Sequence, residues 1–124
     1  ETQDDPSGEV QIIDVWSGTN DTNNTWATIY TDNGDKFNDA NPGDCLRITA
    51  YPMQNNDWWQ FNLDNTSWDV ICDYIKDSTS GQTLSTLGYQ DIVLDQTMIE
   101  RLQKGGLMSY KSNLVFTKVQ LVKK

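Results

Sequence analysis

Residues 58–63 constrain the fold more than any other stretch, because they read Trp-Trp-Gln-Phe-Asn-Leu, an alternation of period two. Successive side chains of a β-strand point to opposite sides, so a strand here separates two rows. One row is apolar and needs a core: Trp59, Phe61 and Leu63. The other row sets a large ring beside two amides: Trp58, Gln60 and Asn62. A shift of one residue would exchange the two faces, so this register decides the interpretation of the whole stretch.

The second row has the composition of a sugar-binding face. A flat aromatic ring packs against the C–H face of a pyranose, and amides both donate hydrogen bonds to hydroxyls and accept them. The alternative is structural, since tryptophan pairs in small β-proteins often belong to the core. The sequence leaves both readings of Trp58 open.

Short β-branched and aromatic runs, separated by Gly, Asn, Asp and Ser, recur along the chain. They predict strands at 10–16, 26–30, 45–51, 58–63, 68–75, 89–94, 107–110 and 114–122. For 68–75 two registers remain open, one with Ile71 and Ile75 inward and one with Trp68, Val70, Cys72 and Tyr74 inward. Asp95 is the expected N-cap of a helix over 96–104 that Gly105-Gly106 ends. The pattern predicts an all-β fold, a β-sandwich (jelly roll) with one short helix near the C-terminus.

Two local arrangements follow from the order of these strands. The turn at 41–44 leads into the alternating strand 45–51 and then into the tryptophan strand, which predicts a meander. In that meander Arg47 and Tyr51 share one exposed face with Trp58, Gln60 and Asn62. The last two strands are expected to form a closing hairpin.

Length and charge narrow the classes of protein. A chain of 124 residues is one domain by size. Its polar start, residues 1–8, resembles the remnant of a linker, leaving 9–124 as a single module. A net charge of −9 disfavours nucleic acid and anionic membranes as partners, whereas a neutral glycan fits. No apolar run reaches the roughly 20 residues of a membrane span, and no signal peptide is visible, so we expect a cytosolic chain or an excised mature module.

Catalytic and metal-binding patterns are weak. The chain has no histidine, which removes the commonest general base and metal ligand. A glycoside hydrolase needs two carboxylates across a cleft, and Asp57, Asp64 and Asp69 are the candidates, but Asp near turns is usually turn chemistry. The acidic turn at 32–35 does not match an EF-hand, so we expect no cofactor, a structural calcium being the weak alternative. Cys45 and Cys72 permit one disulfide without requiring it.

Several short segments resemble a known family. They are Val15-Trp16-Ser17-Gly18, Asn-Thr-Trp ending at Trp26, Gly43-Asp44-Cys45-Leu46-Arg47-Ile48, Trp58-Trp59-Gln60-Phe61, the lone Trp68, Leu94-Asp95, Gly105-Gly106-Leu107 and Thr117-Lys118-Val119-Gln120-Leu121. Over nearly the whole chain the pattern is similar to the non-catalytic β-sandwich carbohydrate-binding modules of gut and rumen bacterial enzymes that degrade plant cell walls, in particular families 79 and 65.

The resemblance implies a jelly roll with planar tryptophans on one sheet, and binding of β-glucans such as cellulose, mixed-linkage glucan or xyloglucan. It assigns the ligand role to Trp26, Trp58, Gln60 and Trp68, while Trp59 and Trp16 are expected in the core or at a sheet edge. The predicted exposed face adds Asn62, Tyr51 and Arg47 to the candidate ligand-binding residues.

The leading hypothesis is therefore a non-catalytic, secreted or cellulosomal module. It would bind β-glucan as a monomer and target an appended glycoside hydrolase. The alternative is a protein–protein interaction domain that uses the same exposed aromatics, and a small glycoside hydrolase ranks third. The exact glycan, the number of sugar subsites and the parent enzyme are not encoded in any motif of the sequence.

Overall fold

Alternating apolar and polar residues form eight strands in the described part of this chain. The computed structural model describes residues 11–30, 35–53 and 58–124. The strands are β1 Gln11–Asn20, β2 Thr25–Tyr30, β3 Cys45–Pro52, β4 Gln60–Asp64, β5 Val70–Lys76, β6 Tyr89–Val93, β7 Leu107–Ser112 and β8 Leu114–Lys123. Two helices, α1 Leu84–Leu87 and α2 Gln96–Gly105, and a 3-10 turn at Asp35–Phe37 complete the described elements.

The strands form two four-stranded antiparallel sheets. The first sheet has the order β1-β8-β3-β6 and the second has the order β2-β7-β4-β5. This order is that of an eight-stranded jelly roll, in which the chain passes repeatedly from one sheet to the other. The predicted all-β sandwich is confirmed.

The two predicted local arrangements are wrong, and the topology explains why. Strand β3 lies in the first sheet and β4 in the second, so they form no meander. Strands β7 and β8 also belong to different sheets, and the chain crosses between them at Asn113, which has a φ of 62°. In a jelly roll most consecutive strands pack face to face across the core, so a short connection does not imply a hairpin.

The register predicted for the tryptophan strand is confirmed. Trp59, Phe61 and Leu63 are buried between the sheets, with Trp59 at 1% exposure. The Phe61 ring meets the Phe116 ring of β8 edge-on at 5.7 Å, which joins the two sheets across the core. The residues of β4 between them therefore face outward.

Strand β5 adopts the first of its two open registers. Ile71 is buried, whereas Val70 and Tyr74 are exposed, although Cys72 also packs against the core. Cys45 and Cys72 are free thiols in different sheets, and burial raises the pKa of Cys72 to about 11. The pair that permitted a disulfide therefore does not form one.

Helix α2 begins and ends as its sequence predicts. The Asp95 carboxylate accepts a hydrogen bond from the Met98 N–H at 2.8 Å, and Gly106 follows the last turn with a φ of 76°. Ile99 and Leu102 are buried. No helix in the described part of the chain is long and apolar enough to cross a membrane.

Some expectations meet the structure only in part. Strand β1 continues past the predicted range 10–16 to Asn20, and the short helix α1 lies between the strands predicted at 68–75 and 89–94. The proposed linker remnant and residues 32–34 of the possible calcium turn fall outside the described residues, as does Asp57.

Candidate functional site

The outer face of the second sheet collects exposed aromatic side chains. Trp26 of β2 stands opposite Tyr110 of β7 in the strand register. The face is completed by side chains that alternate with the buried rows: Thr28, Gln60, Asn62, Asp64, Val70, Tyr74, Met108 and Ser112. The sandwich core thus fixes the positions of these residues from beneath.

The rings on this face contact one another. Trp26 meets Trp68 with ring centroids 5.0 Å apart, and it meets Tyr110 at 5.6 Å. Trp26 is 37% exposed and Trp68 61%. Tyr74 is exposed beside them: its pKa is raised by desolvation, with Tyr110 nearby acting in the same direction. We call Trp26, Trp68, Tyr74 and Tyr110 the aromatic cluster.

The cluster is bent rather than flat. The planes of Trp26 and Trp68 are at 90°, and those of Trp26 and Tyr110 at 72°. The expectation of a planar aromatic face is therefore wrong for these rings. Edge-to-face packing satisfies the aromatic quadrupoles and leaves a surface with two orientations of ring.

Trp68 reaches this position through an unusual backbone conformation. It has a φ of 70°, a left-handed value that is rare for a bulky residue. Its N–H donates to the Asn65 carbonyl at 3.0 Å, closing a tight turn between β4 and β5. Strain of this kind persists only where the surrounding structure imposes it, and it concentrates at functional sites.

Asn65 imposes that turn. Its side chain is fully buried, and the side-chain oxygen Oδ1 accepts hydrogen bonds from the N–H groups of Ser67 and Asp69, both at 2.9 Å. Its NH2 group donates to the Arg101 carbonyl of α2 and to the Asp69 carboxylate, both at 3.0 Å. The pKa of Asp69 is lowered mainly by the hydrogen bond from Asn65 and next by the hydrogen bond from Lys104. Helix α2 thereby holds the loop that presents Trp68.

Two polar side chains lie among the aromatic residues. The Asn62 side-chain oxygen accepts from the Tyr110 N–H at 2.8 Å, so only its NH2 group remains for another molecule. Asp64 is 7% exposed, and its Oδ1 is buried without a hydrogen-bond partner in the described chain. Burial raises the pKa of the Asp64 carboxyl, and Asp73 and Asp69 act in the same direction.

Trp58 lies at the opposite end of β4 from the Trp68 loop and is 48% exposed. The Asp77 N–H donates to the Trp59 carbonyl, so the ladder continues one residue before β4, and alternation assigns Trp58 to the side of Gln60. From Trp58 to Asp64 is about 20 Å at ~3.3 Å per residue. Within the described residues Trp58 has no ring contact with the cluster.

Arg47 and Tyr51 do not join this face. They belong to β3 in the first sheet, so the predicted common face with Gln60 and Asn62 is wrong. The Arg47 guanidinium makes a two-point ion pair with Asp91, at 2.8 and 2.9 Å, and lies 4.2 Å from the Tyr89 ring centroid. The hydrogen bond with Asp91 raises the pKa of Arg47, which marks it as occupied within its own sheet.

Four residues of the site were not singled out as ligand-binding residues from the sequence: Asp64, Asn65, Tyr74 and Tyr110. The signal for Asn65 was present, because Asn-Thr-Ser directly before a tryptophan is turn chemistry. No sequence signal indicates Tyr110, because it contacts Trp26 only through the pairing of β2 with β7.

The acidic side chains within 11–30, 35–53 and 58–124 bear on two kinds of site, a metal centre and a catalytic pair. The described residues contain no group of three or more acidic or thiol side chains that could hold a metal ion. Asp69, one candidate for a catalytic pair, is engaged by Asn65 and by Lys104 at 3.3 Å.

Comparison with solved structures identifies a similar fold. A chain described as the Bacteroides ovatus mixed-linkage glucan utilization locus SGBP-B, in complex with a mixed-linkage heptasaccharide, superposes with a TM-score of 0.65. The match is 15% identical and covers 89% of this chain but 29% of that one. This chain therefore shares its β-sandwich fold with about one third of the length of that protein. No family model matches the sequence, and no curated protein does.

Proposed function

We propose that this chain is a non-catalytic carbohydrate-binding domain that binds a β-glucan chain across the outer face of the second sheet. The observation that carries the proposal is the aromatic cluster, in which Trp26 and Trp68 are exposed although packing against each other. Large exposed rings beside amide and carboxylate groups offer both the stacking surface and the hydrogen bonds that a sugar needs.

The bent cluster favours a soluble, curved chain over a flat crystalline surface. Two rings at 90° cannot lie together on one plane of crystalline cellulose, but they can contact two sides of a single chain. A mixed-linkage glucan has bends between its straight segments and suits such a surface. The structural neighbour, which was solved with a mixed-linkage heptasaccharide, supports the same choice.

Trp58 and Gln60 extend the proposed site along β4. The roughly 20 Å from Trp58 to Asp64 is long enough for several sugar rings, so affinity should rise with chain length until this span is covered. Each stacked ring buries on the order of 100 Å², about 2.5 kcal/mol at the usual area coefficient, and two or three such contacts together with a few hydrogen bonds give micromolar binding.

The proposal includes a context for the domain. A glycan-binding domain that targets an appended glycoside hydrolase, or that adds to companion binding domains, belongs outside the cell, because polymeric glucan is found there. A net charge of −9 suits a neutral polymer.

Affinity gel electrophoresis tests the function. The panel is barley β-glucan, hydroxyethylcellulose, xyloglucan, glucomannan, xylan and a gel without polymer. We expect retardation by β-glucan that Trp26→Ala abolishes and that Tyr51→Ala, on the first sheet, leaves unchanged. A wild-type protein that no polymer retards would contradict the proposal and favour the protein-interaction hypothesis.

A further inference from the structure

Asp64 has a carboxylate oxygen to which no described residue of the fold donates a hydrogen bond. It is the last residue of β4, and alternation with buried Leu63 directs it to the outer face. In the strand register it stands beside Met108 on β7 and Val70 on β5, which supply no side-chain hydrogen bond. Its Oδ1 is buried and unpaired within the described residues.

A buried charge without a partner costs folding free energy, and buried polar groups in proteins are nearly always paired. Asp64 is therefore an exception that calls for a physical explanation. Its surroundings deepen the cost: Asp73 and Asp69 add negative charge nearby, and both raise its pKa. The charge of Asp64 also contributes to the raised pKa of the Tyr74 phenol on the same face.

The position of Asp64 on the same outer face as the aromatic cluster indicates what would pair with it. A sugar ring against Trp26 or Trp68 brings hydroxyl groups to the base of the cluster, and a hydroxyl is a donor that a carboxylate accepts strongly. A single carboxylate does not make a cation site, and the described residues supply no further acidic ligands in a group. A second carboxylate on the ligand would be repelled.

We propose that Asp64 is a specificity-determining residue of the glycan site, accepting hydrogen bonds from hydroxyls of a neutral sugar and excluding sugars that carry a carboxylate. This inference rests on the proposed function and deepens it. It gives the 7% exposed Asp64 carboxylate a hydrogen-bonding role at the surface of the site, and it defines the ligand class as uncharged glucan rather than uronic-acid polymer.

The first test compares two polymers with the same β-1,4-glucan backbone, neutral hydroxyethylcellulose and anionic carboxymethylcellulose. The variants are Asp64→Asn and the matched control Asp73→Asn, which removes the same charge from an exposed neighbour. We expect wild type and Asp73→Asn to prefer the neutral polymer. Asp64→Asn should lose most of that preference, also at 1 M salt, where charges beyond about 3 Å are screened.

The second test uses calorimetry with a mixed-linkage heptasaccharide. Asp64→Asn should bind about tenfold more weakly, the usual loss for one charge-assisted hydrogen bond. Its thermal midpoint should equal or exceed that of wild type, because an unpaired charge has been removed, whereas a merely structural role would lower it. Wild-type affinity should also fall on acidification, at a higher pH than an ordinary carboxyl would give, because burial raises the pKa of Asp64.

The outcomes separate the two proposals. Binding that is lost in Trp26→Ala but equal in Asp64→Asn and wild type, with no pH dependence, overturns the role of Asp64 alone. A wild-type protein that binds neither polymer nor heptasaccharide overturns the proposed function itself. If Asp64→Asn does not fold, the wild-type pH profile decides, and a flat profile counts against Asp64.

Discussion

The outer faces of the two sheets share one architecture and differ in how their polar groups are satisfied. On the first sheet Arg47 forms a two-point ion pair with Asp91 and lies over the Tyr89 ring, so these three side chains satisfy one another's charge and hydrogen-bonding groups. On the second sheet Trp68 holds a left-handed backbone, and Asp64 has an oxygen buried without a partner in the described chain.

This difference teaches how to distinguish a binding face from an ordinary one. Both faces display exposed aromatics, Tyr51 on the first and Trp26 on the second, so exposure alone does not separate them. Backbone strain and unsatisfied hydrogen-bonding groups do distinguish the two faces, because neither stabilises the folded state.

Replacing Trp26 should have the largest effect on binding. Trp26→Ala removes the ring that contacts both Trp68 and Tyr110, and we expect about a 100-fold loss of glucan affinity, or roughly 2.5 kcal/mol. Tyr51→Ala should change affinity less than about twofold. Calorimetry with the heptasaccharide measures both, and equal losses would remove the distinction between the faces.

Replacing Trp68 should separate binding from stability. Trp68→Gly and Trp68→Ala both remove the ring, and each should weaken binding about tenfold or more. The glycine variant should be more stable than the alanine variant by about 1 kcal/mol, because glycine adopts a φ of 70° without strain. Urea denaturation measures the difference; equal stabilities would show that the turn stores no strain.

Lys111, on the inner face of the second sheet, should make stability depend on pH just above neutrality. Burial lowers the pKa of Lys111 to about 8, and its ammonium donates to the carbonyls of Thr22 and Leu114. The unfolded chain holds this proton up to its ordinary pKa of 10.5, so it binds more protons than the folded chain between these values.

The contribution of Lys111 to stability should therefore rise with pH across that interval, by about 1 kcal/mol between pH 8 and pH 9. The raised pKa of Cys72 acts in the opposite direction above its ordinary value of 9.0, so the rise should be seen between pH 8 and pH 9. Lys111→Met should flatten the rise, while Asp64→Asn should leave it intact. Denaturant unfolding at a series of pH values measures this. A rise that persists in Lys111→Met would assign it to another group.

The smallest effect is expected on the first sheet. Arg47→Met breaks the ion pair with Asp91 but keeps an apolar stem over Tyr89, so the free energy of unfolding should fall by about 1 kcal/mol or less. Glucan affinity should not change. A loss of affinity would restore Arg47 to the site that the sequence assigned it.

The sequence predicts much of the fold because the alternation of residues 58–63 is unambiguous: Trp59 is buried and Gln60 is not. The N-cap at Asp95 is equally local. Sheet membership is not local, because it depends on pairings across the core such as Phe61 with Phe116. For that reason Arg47 and Tyr51 were assigned to the wrong sheet.

The candidate site divides in the same way. Exposed Trp26, Trp58 and Trp68 were predicted as ligand-binding residues from residue type and resemblance, and that role stays a prediction. Tyr110 and Asp64 enter through strand register alone, since each matters only by standing beside residues far away in the sequence.

The most direct measurement follows the indole N–H signals of the five tryptophans by NMR during titration with the mixed-linkage heptasaccharide, with signals assigned by Trp→Phe variants. Trp26 and Trp68 should shift most and Trp58 less. Trp59, whose buried indole donates to Ser85 at 3.1 Å, and Trp16 on the first sheet should stay unchanged. Shifts confined to Trp16, or no shifts at all, would contradict a glycan site on the outer face of the second sheet.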